Sequence, residues 1–171
     1  FIIDDKGCVL IVMWGVPTAS YANNCSRALQ CATAMISKTR ELDHQCSIGI
    51  ATGIAYCGTV GSSVRREYVA MGTSVNLAAR LMGKANGHIY CDKSTYNYLP
   101  HGIASLMESI PPLRCKGFND PVDCFEYASD SICYCNDNDI LSNSAIVFTD
   151  EIFNKLKRIT EVVNDIVADN H

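Results

Sequence analysis

The chain has 171 residues, 48% of them hydrophobic, enough to bury one ordinary core and too few for two full domains. Fourteen basic and eighteen acidic residues leave a formal charge of −4 with no basic stripe carrying interleaved aromatics, so nucleic acid is not an expected partner. The longest apolar runs, Val9 to Trp14 and Ala145 to Phe148, fall far short of the ~20 residues a membrane helix needs, so no membrane is expected for this segment.

Phe1-Ile2-Ile3 enters in mid-pattern without an initiator methionine or a signal-type leader, which reads as a piece of a longer chain. The ten cysteines sit largely inside apolar runs, as buried free thiols in a reducing compartment do. Their only close pair, Cys133-Tyr134-Cys135, lacks the spacing of a zinc site.

In chain order, Cys8 to Trp14 is a continuous apolar run closed by Gly15 and Pro17, the pattern of a strand buried on both faces in the middle of a sheet. Between Asn24 and Leu42, Ala28, Ala32, Met35, Ile36 and Thr39 recur at helical spacing. From Cys46 to Tyr56, Ile48, Ile50, Thr52, Ile54 and Tyr56 alternate with small residues, which predicts a strand closely approached by a helix or another backbone. Gly58, Gly61 and Ser62-Ser63 mark a turn before the extended Arg66 to Met71, so 46–71 reads as a hairpin. A second helix follows, with Thr73 as N-cap, Val75, Ala78, Ala79 and Met82 as its buried stripe, and an end at Gly83 to Gly87. A strand at His88 to Cys91, a short helix after Asp92, and strands at Ala104 to Ile110 and Asp123 to Tyr127 complete the domain. This order predicts an α/β (α+β) fold, a ferredoxin-like βαββαβ sandwich core with an extra C-terminal hairpin. The organisation expected is a domain over 1–128, a polar linker over 129–144, and a helix within 145–171 whose apolar face is Ile152, Leu156, Ile159, Val163 and Ile166.

Asn76 and Arg80 lie one turn apart on the second helix and therefore on one face. An amide and a forked, permanently charged guanidinium together suit a sugar oxygen and a phosphate. By spacing alone the wet face of an amphipathic helix is the commoner reading, because surface Asn and Arg are frequent. His44, His88 and His101 have no partner at catalytic spacing, and no P-loop or dinucleotide-binding turn is present. Arg65 and Arg66 read as solvated hairpin charges.

The wording around these residues is more specific. Gly-Thr-Val-Gly (58–61), Arg65-Arg66-Glu67-Tyr68, Gly72, Val75-Asn76-Leu77-Ala78-Ala79-Arg80-Leu81, Lys116-Gly117, Pro121-Val122 and Phe125-Glu126-Tyr127 resemble the class III nucleotidyl cyclase catalytic domain. Within that family the phrase most resembles the second catalytic domain of the soluble, bicarbonate-responsive adenylyl cyclases. The resemblance implies two similar domains paired head to tail, in one chain or as a dimer, with the site in the cleft between them. It implies ATP as substrate, cyclic AMP and pyrophosphate as products, and a cytoplasmic signalling role. Arg80 and Asn76 become the expected catalytic residues, and Val69, Gly72 and Asn76 the expected substrate-binding positions. Two Mg²⁺ (or Mn²⁺) ions would be held by the partner domain.

Three departures qualify this. Gly7-Cys8 stands where a metal-bearing domain has Gly-Asp, and a neutral thiol is a poor ligand for hard Mg²⁺. Asp4 and Asp5 fall outside the family register. Val69, in the position of a base-reading Asp or Thr, can neither donate nor accept a hydrogen bond. A catalytically degenerate domain with a pairing or regulatory role therefore stays open as the alternative. The segment after residue 145 is also faintly like the ATPase-type region that follows the cyclase pair in long soluble cyclases, with an isolated amphipathic helix as the plainer reading.

Overall fold

A computed structural model describes the backbone at residues 2–4, 7–17 and 20–128, and side chains from Val9 onward. The expected linker over 129–144 and the helix within 145–171 lie outside the described residues. The elements are β1 (Ile2–Asp4), β2 (Gly7–Val9), α1 (Asn24–Glu41), β3 (Ile48–Ile50), β4 (Tyr56–Gly61), β5 (Arg66–Met71), α2 (Thr73–Ala85), β6 (Ile89–Asp92), α3 (Lys93–Asn97), α4 (His101–Ala104), β7 (Met107–Leu113) and β8 (Val122–Tyr127).

One four-stranded sheet in the order β3-β6-β8-β7 organises the domain. β3 runs parallel to β6, while β6–β8 and β7–β8 are antiparallel. Period-two alternation sends successive residues to opposite faces. Ile48, Ile50, Ile89, Cys91, Phe125 and Tyr127 join Leu29, Ala32 and Ile36 of α1 in one core, with Leu99 and Ile103 closing it. Ala51, Tyr90, Val122 and Cys124 join Leu77 and Leu81 of α2 in a second core. Each face of the sheet thus has its own helix and its own apolar cluster. The β7–β8 pair is the expected C-terminal hairpin, and its register shifts between Ile110 and Leu113, where Pro111 and Pro112 lack the N–H groups a regular ladder needs.

The fold class is the mixed α/β one expected, with local corrections. The run from Cys8 to Trp14 is not a central strand. β2 ends at Val9 and pairs only with β1, and Ile11 is 51% exposed. Apolar composition does not supply backbone partners, and among the described residues the sheet is built without this run. The 46–71 hairpin proves to be β4 and β5 alone, because β3 is a separate three-residue strand in the main sheet. α1 matches its expected span to within one residue. β7 begins later than expected because α4 takes residues 101–104.

α2 differs in phase. Its N-cap is Gly72 rather than Thr73, and its buried residues are Leu77, Leu81 and Ala85 rather than Val75, Ala78, Ala79 and Met82. Both sets fit helical spacing, and the side of the helix turned to the sheet is set by where β3 lies. The helix also runs through Gly83 and ends at Ala85, because Asn86 takes the left-handed conformation (φ 44°) that stops it and Gly87 follows at φ 90°.

Candidate active site

The seat of α2 is made by small residues. A β-carbon on Gly49 would fall 2.1 Å from the carbonyl oxygen of Ala78 and 2.4 Å from the nitrogen of Met82, so the helix backbone rests directly on β3. Further along, a β-carbon on Gly53 would meet the Ser74 β-carbon at 3.1 Å, and one on Gly72 would meet the Ile54 carbonyl oxygen at 2.8 Å. β3 and the segment after it therefore run antiparallel beneath α2 from Met82 back to its start at Gly72. This is the close approach that the Ile/small alternation of 46–56 predicts.

That seating fixes which side of α2 faces out. With Leu77, Leu81 and Ala85 buried, Asn76 and Arg80 are exposed, as are their small neighbours Ala79 and Gly83. Among the described residues, neither the Asn76 amide nor the Arg80 guanidinium is engaged by a hydrogen bond or an ion pair. The Asn76 backbone N–H donates to Gly72 O at 3.2 Å, which ties the start of the helix to the end of β5. Gly72 offers no side-chain cap and the first turn holds no acidic residue. Free N–H groups and the positive end of the helix dipole there favour an anion.

Val69 lies on β5 opposite Gly58 of β4, half-buried, and precedes Gly72 by three residues. The four nominated positions are thus strung along one strand-to-helix connection, with Val69 able to offer only packing. The hairpin beside them is unusually apolar on its outside: Ile54 and Val64 are each 94% exposed, and Tyr56, Val60, Tyr68 and Met71 are exposed too. Single exposed apolar residues are ordinary, but Tyr56, Val60 and Met71 share one face of the ribbon and together suit an interaction surface. Arg65 and Glu67 pair with each other on the same hairpin and remain solvated.

No three His, Cys, Asp or Glu side chains converge among the described residues in a way that could hold a metal ion. Two clefts, of about 490 Å³ and 210 Å³, lie between α1 and the edge of the sheet at Gly87 and His88. Neither includes Val69, Gly72, Asn76 or Arg80. His88 Nδ1 sits 2.8 Å from Glu126 Oε1 on the rim of the larger cleft, away from α2.

Cys31, Cys91, Cys115 and Cys124 are buried and unbridged. Burial pushes the Cys31 thiol up to about 11. It does the same to Cys124, where the neighbouring Cys115 adds to it, again to about 11. Cys91 is raised further, by burial first and then by Asp92.

A cluster that the motifs do not announce lies beneath the site. Asp92 Oδ1 accepts from Thr95 N at 2.9 Å and from Thr52 N at 3.3 Å. Thr52 Oγ1 shares hydrogen bonds with Thr95 Oγ1 at 2.8 Å and with Cys25 Sγ at 3.3 Å. The Asp92-Lys93-Ser94-Thr95 sequence signals the helix cap, but nothing in the sequence signals the reach to Thr52.

Comparison with known proteins agrees with this architecture. The family model described as "Adenylate and Guanylate cyclase catalytic domain" matches residues 7–125. Human adenylate cyclase type 10 is 36% identical over 127 residues, covering 72% of this chain. Adenylate cyclase 1 of Rhizobium meliloti (strain 1021) is 33% identical over 145 residues, covering 73% of this chain. The chain spans only 8% of the first of these relatives and 20% of the second. Among solved structures, the guanylyl cyclase Cya2 superposes with a TM-score of 0.58 at 28% identity, over 71% of this chain and 66% of that one. The adenylyl cyclase CyaB from P. aeruginosa shares the fold, with a TM-score of 0.62 at 23% identity over 71% and 68% of the two chains. None of the described helices is long and apolar enough to cross a membrane. With more than half of its length matched, the chain belongs to the adenylate and guanylate cyclase catalytic domain family.

Proposed function

We propose that this chain supplies the non-metal half of an adenylyl cyclase site, converting ATP to cyclic AMP and pyrophosphate when paired with a homologous, metal-bearing domain in the same chain or in a dimer. The observation that carries the reading is the Asn76–Arg80 pair, stacked on the outward face of α2 with neither side chain engaged by another described residue. Polar groups held on a rigid helix beside an exposed apolar hairpin suit half of a cleft whose other wall is a second protein surface.

In this role the Asn76 amide orients the ribose, and the Arg80 guanidinium meets the charge that develops on the α-phosphate oxygens as the ribose 3′-oxygen attacks. The new bond joins the 3′-oxygen to the α-phosphorus, and the bond to the bridging oxygen breaks to release pyrophosphate. Val69 and Gly72 border the nucleotide by packing and by close backbone approach. Two Mg²⁺ or Mn²⁺ ions would be held by the partner domain in this reading, since Cys8 stands where a metal-bearing domain has an aspartate and a neutral thiol is a poor ligand for a hard cation. The cyclase unit in this reading is residues 1–128. A cytoplasmic location fits cyclic nucleotide signalling.

The test is to combine the purified chain with a metal-bearing cyclase domain and follow cyclic AMP. Arg80→Ala is expected to slow turnover on the order of 10²–10³-fold. Unchanged turnover in that variant would sink the assignment.

Val69 favours a second reading, a domain that pairs and binds nucleotide or a regulatory ligand without turning it over, because a valine cannot read the adenine edge. Calorimetry of the paired domains with a non-cyclisable ATP analogue, beside the turnover assay, separates the two: binding without turnover supports the second reading.

A further inference from the structure

We propose that Asp92 is a positioning residue for the Asn76–Arg80 face, acting through Thr52 and the residues 53–55 beyond it. The carboxylate is 5% exposed, at the junction where β6 ends and α3 begins. A five-residue helix needs one cap, and a small hydroxyl residue would provide it without the cost of burying a charge. Asp92 does more than cap: the oxygen that accepts from Thr95 also accepts the backbone N–H of Thr52, 40 residues away in sequence. Thr52 is held a second time through its hydroxyl, by Thr95 of α3 and Cys25 of α1. Three elements thus converge on one residue just past the end of β3.

Residues 53–55 form the floor of the site. Gly53 lies against Ser74, and Ile54 and Ala55 lie against Gly72 so closely that neither Gly53 nor Gly72 has room for a β-carbon at ordinary contact distance. Gly72 in turn accepts the Asn76 N–H. The path from Asp92 to Thr52, to Ile54 and Ala55, to Gly72 and to Asn76 consists of two hydrogen bonds, one short stretch of chain and one backbone contact without slack. Shifting the 52–55 segment would carry the first turn of α2 with it, and a misplacement of about 1 Å at a reacting geometry can cost 10²-fold in rate. The catalytic consequence rests on the function proposed above, whereas the mechanical link does not.

The experiment has two arms, on the whole chain. In the first, amide hydrogen exchange is followed in the parent, Asp92→Ala and Asp92→Asn. The proposal expects Asp92→Ala to speed exchange of the Asn76 to Ala79 amides by about tenfold while the Leu81 to Ala85 amides stay as in the parent. Asp92→Asn, which keeps an oxygen acceptor, should restore most of the protection. Faster exchange confined to α3 would mean that Asp92 is only a helix cap and would overturn the proposal. Should Asp92→Ala fail to fold, Asp92→Ser, which can still cap α3 but is too short to hold both N–H groups, must loosen the same Asn76 to Ala79 amides or the link is refuted.

In the second arm, cyclic AMP formation from ATP is measured with a metal-bearing partner domain. Asp92→Ala should lower kcat by about tenfold or more with KM for ATP within about threefold, and Asp92→Asn should recover it. An unchanged kcat in Asp92→Ala, where Arg80→Ala is impaired, would overturn the catalytic half of the proposal. If Arg80→Ala has no effect, the functional reading itself has failed, and the exchange arm still decides the mechanical link.

Discussion

Gly49 and Ala78 touch backbone to backbone: a β-carbon on the first would lie 2.1 Å from the carbonyl oxygen of the second. This contact sets the height of α2 above the sheet and, through the helix, the placement of Asn76 and Arg80. Because the obstructing atoms are main chain, they cannot turn aside as a side chain could. Gly49→Ala should therefore destabilise the domain by about 3 kcal/mol or more, at the upper end of what overpacking costs. Chemical denaturation measures this, and a loss below ~1 kcal/mol would mean that α2 is free to lift.

Leu81 is fully buried at the centre of the cluster beneath α2. Leu81→Ala removes apolar contact and leaves a cavity, so a loss of about 2–5 kcal/mol is expected in the same denaturation experiment. Asn76→Ala and Arg80→Ala, on the exposed flank of the same helix, should fall within about 0.5 kcal/mol of the parent, as exposed positions do. Large destabilisation by Arg80→Ala would mean that the side chain serves packing rather than chemistry.

The hairpin offers a separate test of pairing. Ile54 and Val64 are almost wholly exposed, so Ile54→Lys and Val64→Asp should leave the melting temperature unchanged. If this surface meets a second cyclase domain, both should weaken association by about tenfold or more, as measured by sedimentation with the metal-bearing partner. Unaltered association would place the interface elsewhere.

Alkaline pH should destabilise the chain through its buried thiols. Cys31 and Cys124 are raised from an ordinary 9.0 to about 11, so above the ordinary value the unfolded chain loses protons that the folded chain keeps. Their contribution is intact below pH 9 and is lost as the pH climbs through about 11. Thermal melts between pH 8 and 11 should show a falling midpoint, with a shallower fall in Cys31→Ala. In native protein at pH 8, alkylation followed by mass spectrometry should leave Cys31, Cys91, Cys115 and Cys124 unlabelled until denaturant is added.

The local signals of the fold were legible in the residues themselves. Apolar spacing between Asn24 and Leu42 marks α1 because helical period and burial coincide there. The glycine and small-residue alternation after Cys46 announces the backbone contact that Gly49 makes. Spacing puts Asn76 and Arg80 on one face of a helix, and only the wording around them nominates that face for chemistry. The wording from Gly58 to Leu81 places them in a family.

Tertiary structure decided the rest, because the remaining facts concern partners distant in sequence. The apolar run to Trp14 looks like a central strand, yet a strand is central only if neighbours bond to its edges, and those neighbours are not encoded in the run itself. Two apolar stripes on α2 satisfy the helical period, and the position of β3 selects Leu77, Leu81 and Ala85, which turns Asn76 and Arg80 outward. The hold of Asp92 on Thr52 spans 40 residues and leaves no spacing to read. Local sequence determines which groups are present and how each segment is inclined to fold. Only packing determines which side of a helix is buried, and with it which side chains remain free to act.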